Sequence, residues 1–109
     1  MLRWLPRVLS RIRELAEARK VLFTLKARRE LAMLDLGLDG EDACDVPARL
    51  GAEDSAGRLG SAATGEWMYV FKPILAGTIL YVKVILRDDC ILVSFHEDDE
   101  GDGHEEEDA

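Results

Sequence analysis

The stretch "LYVKVILRDDCILVSFHED", from Leu80 to Asp98, restricts the fold more than any other part of the chain. Leu80, Val82, Val84 and Leu86 occupy every second position, which is the spacing of one apolar face of a β-strand. "CILVSFH" answers with Ile91, Val93 and Phe95. A two-residue turn at Asp88 and Asp89 sets Arg87 opposite Cys90, so Val84 pairs with Val93 and Val82 with Phe95. Both apolar sets then face the same way. The same register puts Lys83 opposite Ser94 and Tyr81 opposite His96 on the other face. A slip of one residue would invert both faces, so burial fixes the register.

"EWMYVFK" alternates as well, and a four-residue "PILA" loop brings Trp67, Tyr69 and Phe71 onto the apolar side. Met68, Val70 and Lys72 then join Tyr81, Lys83 and His96. Upstream, Leu5, Val8, Leu9, Ile12, Leu15 and Ala16 fall at helical spacing to about Arg19, with Pro6 tolerated in the first turn. "VLFTL" reads as an edge strand or an extended connector. Ala27 to Leu36 reads as a second helix ended through Gly37, and Asp39 can cap a short third helix that Pro47 interrupts. In that third helix Val46 and Leu50 face inward. "GAEDSAGRLGSAATGE" is expected to be a glycine-rich loop of sixteen residues. These elements predict an α+β domain, a small antiparallel sheet with N-terminal helices packed on one face.

Charge divides the chain. Residues 97–109 hold nine acidic side chains and no Lys or Arg, so the other 96 residues keep 13 of the 22 acids against 14 basic groups. The formal charge of −8 therefore belongs to the tail, and residues 1–96 form a near-neutral single domain. Residues 97–109 are expected to be disordered, either a solubilising end or an RNA mimic that folds back over the cationic face. Residues 1–30 are strongly basic and residues 31–66 acidic, which suggests two faces or two partners. Cys44 and Cys90 have no short metal-ligand spacing, and a reducing cytoplasm is expected. No apolar run is long enough to span a bilayer. The Arg-rich start fits a packed amphipathic helix, with a transit peptide or a membrane-surface helix as the alternatives.

Tyr81, Lys83 and His96 on one face read either as the solvated side of a sheet or as a site. "EWMYVFKP", "LYVKVIL" and "ILVSFHE", preceded by "LGLDGEDACDV", resemble the MqsR family of type II toxins, whose fold belongs with the RelE-like ribonucleases. The likeness runs from about Ser10 to Glu97. It implies a cytoplasmic endoribonuclease that cuts messenger RNA without the ribosome. It also implies silencing by a cognate antitoxin, usually a zinc-containing protein with a helix-turn-helix DNA-binding domain. Tyr81 matches a site residue of the family, and Lys72 and Lys83 stand where the family has basic residues. Three positions depart from the family pattern: Met68 stands where Gln is common, Arg58 approximates a loop Lys, and His96 replaces a Lys.

RNA carries its own nucleophile, the 2′-hydroxyl, so a base, an acid and cations suffice without a metal or other cofactor. Histidine is the side chain whose ordinary pKa suits proton transfer near neutrality. The expected catalytic set is Tyr81, His96 and Lys83, with Arg58, Lys72 and Met68 meeting the single-stranded RNA. The competing reading is a catalytically weakened relative that acts as a binding or co-regulatory partner of an antitoxin-like DNA-binding protein.

Overall fold

The computed structural model describes residues 2–98. Helix α1 (Leu5–Glu17) buries Leu5, Val8, Leu9, Ile12 and Leu15, the stripe its spacing predicts. It ends in a Schellman arrangement: the Lys20 N–H donates to the Leu15 carbonyl and the Arg19 N–H to the Ala16 carbonyl, with Arg19 at φ 61°. The chain then enters β1 (Val21–Phe23), which pairs parallel to the last strand, Val21 opposite Cys90. "VLFTL" is thus an edge strand. The α+β fold class holds, and this one parallel strand makes the sheet mixed.

Helix α2 spans Leu25–Met33, not Ala27 to Leu36. Thr24 starts it earlier, because its hydroxyl accepts from the Ala27 N–H at 3.1 Å while its own N–H is held by the Leu92 carbonyl. It stops before Gly37, since Leu34 is already extended. Helix α3 (Gly40–Asp45) carries the expected cap as a reciprocal box between Asp39 and Asp42. Pro47 converts the continuation into a short 3₁₀ turn, and Val46 and Leu50 are buried.

The sixteen-residue loop is overturned. Ala52–Asp54 is a 3₁₀ turn and Ser55–Gly60 is β2, an edge strand antiparallel to β3 (Trp67–Phe71). Its glycines do not prevent pairing: Gly57, at φ 104°, forms the bulge that lets Arg58 face Tyr69. "PILA" is not a loop either. Ile74–Leu75 form β4 against the start of β5 (Thr78–Leu86), closed by a two-residue turn in which Ala76 and Gly77 both have positive φ. Like the expected loop, this turn is even in length, so the facing of β3 and β5 is as predicted.

Strand β6 (Cys90–Glu97) completes the order β1-β6-β5-β3-β2. The Tyr81–His96, Val82–Phe95 and Lys83–Ser94 pairs occur as expected. Towards the turn the frame changes, because Val84 faces Leu92 and Leu86 faces Cys90, leaving Val93 as an extra residue. Three residues, Arg87 to Asp89, therefore make the turn. Cys90, Leu92 and Phe95 fill the core, while Ile91 and Val93, expected there, are half-buried.

The core lies between α1 and the inner face of the sheet, where Phe71, Leu80, Val82, Val84, Leu92 and Phe95 are fully buried. Tyr69 packs on Trp4 with ring centroids 5.4 Å apart. Trp67, expected in the core, lies at the margin of that face and stays 46% exposed.

The segment before β3 is tied to the β5–β6 hairpin by a two-pronged ion pair. Arg87 Nε and Nη2 donate to the two Glu66 carboxylate oxygens at 2.8 and 2.7 Å. Those hydrogen bonds lower the Glu66 pKa from 4.5 to about 2. A carboxylate with a depressed folded pKa stabilises the fold above its ordinary pKa, and the contribution fades as pH falls through the folded value. The melting-temperature difference between wild type and Glu66→Gln should therefore be constant above pH 4.5 and close as pH approaches about 2.

Candidate functional site

The outer face of the sheet, away from α1, carries the polar row. Tyr81 on β5 and His96 on β6 are cross-strand partners, and their rings stack with centroids 5.1 Å apart and planes 10° from parallel. Lys72 and Lys83 each place Nζ 6.0 Å from the Tyr81 ring centroid, close enough for attraction to its π-face. Val70, opposite Lys83 on β3, and Met68 are buried and form an apolar floor beside the row.

Burial grades across the row. Tyr81 is 3% exposed, Lys83 2% and Ser94 1%, whereas His96 and Lys72 are half-buried and form its accessible rim. The acidic tail, expected from Glu97 onwards as a disordered end or as a segment folded back over this face, starts later than that, because Glu97 ends β6, and from position 99 onwards it lies outside the described residues. Asp98 is described, and its carboxylate sits 3.5 Å from Lys72 Nζ.

His96 is held in one tautomer. Its Nδ1 lies 2.8 Å from the Glu97 carbonyl oxygen. A carbonyl only accepts, so Nδ1 carries the hydrogen, and in the neutral ring the lone pair is on Nε2. Nε2 is therefore the atom able to take a proton.

Helix α2 adds a cation that the sequence did not point to. Lys26 Nζ donates to Ser94 Oγ at 2.9 Å and pairs with Glu30 at 2.9 Å. The other Glu30 oxygen accepts from the Phe95 N–H at 2.8 Å, satisfying a β6 edge group beyond the end of β1. The parallel pairing of β1 with β6 delivers α2 to this edge, and neither periodicity nor motif carries that information. Only the basic composition of "LKARREL" hinted at it.

Arg58 does not join the row. It faces Tyr69 on the inner side of the sheet, its guanidinium 3.8 Å from the Trp67 ring centroid and 5.0 Å from that of Trp4. The structure thus assembles Tyr81, Lys83, His96, Lys72 and Met68 on one face and sends Arg58 to the other.

Among the described residues no group of three or more His, Cys, Asp or Glu side chains is placed to hold a metal ion. Cys90 is a core thiol, its pKa pushed up to about 12 by burial with a smaller contribution from Cys44, and it offers no thiolate nucleophile near neutrality. No described helix is long and apolar enough to cross a membrane.

A family model described as "Motility quorum-sensing regulator, toxin of MqsA" matches residues 7–97. The span runs from the first turn of α1 to the end of β6 and contains the whole polar row. No curated protein matches the chain.

Proposed function

Because this chain belongs to the family of motility quorum-sensing regulators that are toxins of MqsA, we propose that its toxic activity is metal-independent cleavage of single-stranded messenger RNA in the cytoplasm. The observation that carries this reading is the Tyr81–His96 stack with His96 Nε2 outside the Nδ1 hydrogen bond and two lysines at 6.0 Å from the phenol ring.

His96 Nε2 takes the proton of the 2′-hydroxyl as that oxygen attacks the adjacent phosphorus. The 5′-oxygen leaves with its bonding electron pair and takes a proton through the Tyr81 hydroxyl, which regains one from solvent as the imidazolium releases the proton it took, yielding a 2′,3′-cyclic phosphate and a 5′-hydroxyl. Lys83 and Lys72 stabilise the charge that grows on the non-bridging oxygens. Tyr81 orients the imidazole through the stack and shares in proton transfer. Lys72 and His96, on the rim, meet the RNA first, and a phosphate entering there replaces the Asp98 carboxylate on Lys72. Met68 supplies an apolar floor where a base can rest.

A toxin of this family has an antitoxin partner. We take that partner to be a zinc-containing protein with a helix-turn-helix domain. The near-complete burial of Tyr81 and Lys83 favours a second reading, a catalytically weakened relative that binds the antitoxin and co-regulates with it.

Mapping the ends produced on a defined single-stranded RNA, with and without EDTA, separates these readings. Cyclic-phosphate ends that persist in EDTA are the expected result. Loss of cleavage in EDTA would mean a metal nuclease, and no ends at all a binding protein.

A further inference from the structure

The inner margin of the sheet carries a second cationic and aromatic cluster that the proposed reaction does not use. Trp4 and Tyr69, with Arg3, Arg7 and Val8, line an open cavity of about 480 Å³, within the range that holds small organic ligands. Beside it Trp67 is 46% exposed, and Arg58 is clamped between the two indoles. Gly60 lies opposite Trp67 across the strand pair, so the directly paired position adds no side chain to the indole, and Arg58, two residues away on β2, is the cross-strand group over it. Among the described residues Arg3, Arg7 and Arg58 form no ion pair with a carboxylate.

Three guanidinium groups without a described counter-charge, beside three aromatic rings, match a phosphate backbone with unstacked bases. Aromatic faces and guanidinium planes stack bases whatever their sequence, and arginines neutralise phosphates. A packing staple alone would need neither the exposed indole nor the two outward arginines.

We propose that this cluster is a second single-stranded RNA site, in which one base enters the cavity against Trp4 and Tyr69 and the flanking phosphates lie on Arg3 and Arg7. Strand β2 is the edge of the sheet, three strands from β6, so RNA leaving the Tyr81–His96 row on the outer face crosses roughly 15 Å of sheet, at about 4.8 Å per strand, and then turns round this edge to reach the cluster on the inner face. The site rests on the ribonuclease reading only for the identity of the strand as RNA. It holds the strand and takes no part in the chemistry.

The chain has two tryptophans, Trp4 and Trp67, and both lie in this cluster, so intrinsic fluorescence reports it directly. The probe is a 2′-O-methyl-uridine decamer, which keeps the RNA backbone but cannot be cleaved. Saturable quenching is expected, with Kd rising at least tenfold in an Arg3→Ala/Arg7→Ala variant. The log–log salt slope should also become shallower by about 0.7 for each phosphate that the variant no longer neutralises. An Arg28→Ala/Arg49→Ala variant, with the same charge removed elsewhere, should bind within about twofold of wild type, since neither group reaches the cavity.

Equal Kd values in wild type and the Arg3/Arg7 variant, or an equal loss in the Arg28/Arg49 variant, would overturn the proposal. So would absence of decamer binding together with protection of Trp67 by a protein partner. Cleavage assayed in parallel separates the two readings. Cleavage with Arg3- and Arg7-independent binding sinks this site alone, and binding without cleavage sinks the ribonuclease mechanism alone.

Discussion

Purified Tyr81→Phe and His96→Ala variants should each cleave single-stranded RNA about 10²–10⁴-fold more slowly than wild type, the range that a positioned proton-transfer group contributes. Tyr81→Phe is the cleaner test. It keeps the ring that stacks on His96 at 5.1 Å and removes only the hydroxyl. His96→Ala removes the Nε2 acceptor and the stack together. The double variant should lose much less than the product of the single losses, because the two groups act as a unit. Single-turnover rates on a labelled oligonucleotide give the comparison, with circular dichroism checking the fold. Unchanged rates in both single variants would mean that the outer face is not the reacting site.

Phe95→Ala should cost about 3–5 kcal/mol of unfolding free energy, the usual penalty for deleting a buried aromatic ring. That is a large part of the roughly 5–15 kcal/mol available to a small domain. Phe95 is fully buried, and its ring packs against Phe23 of β1 at 6.1 Å, so the cavity would also loosen the parallel edge strand. A paired substitution nearby tests the bulge. Leu92 is fully buried and Val93 is not, so Leu92→Ala should cost about 2–5 kcal/mol and Val93→Ala clearly less. An unbulged strand would reverse that order. Urea denaturation midpoints at constant m-value decide it.

Particular residues show how much of this is legible in the sequence. Alternation over Leu80 to Leu86 was enough to place Tyr81 against His96 and Lys83 against Ser94, since a half-apolar strand has one workable frame. It could not place the bulge. "CILV" is apolar at every position, so Cys90 and Leu92 competed on equal terms with Ile91 and Val93 for the core. For Ser55–Gly60 the glycine content suggests a loop, whereas an edge strand paired on one side tolerates glycines and uses one of them for its bulge. Trp67 followed the parity of Tyr69 and Phe71 correctly, but parity does not say where the helical layer stops. Arg58, placed by likeness to a loop lysine, belonged to a strand, and a strand residue's face is set by its partner, here Tyr69. Lys26 depended on which strand β1 chose, a long-range pairing that local pattern does not contain.

The bulge at Val93 divides β6 into two independent gauges. The segment nearest the turn is aligned by Cys90 and Leu92, and the segment bearing Ser94 and His96 is aligned by Phe95 and by Glu30 from α2. Length changes in the Arg87 to Asp89 turn can therefore be taken up at the bulge before they reach the imidazole. A residue inserted between Phe95 and Glu97 has no such slack, and would carry His96 off the Tyr81 ring. Variation in this hairpin should accordingly be tolerated at its tip and punished at its open end.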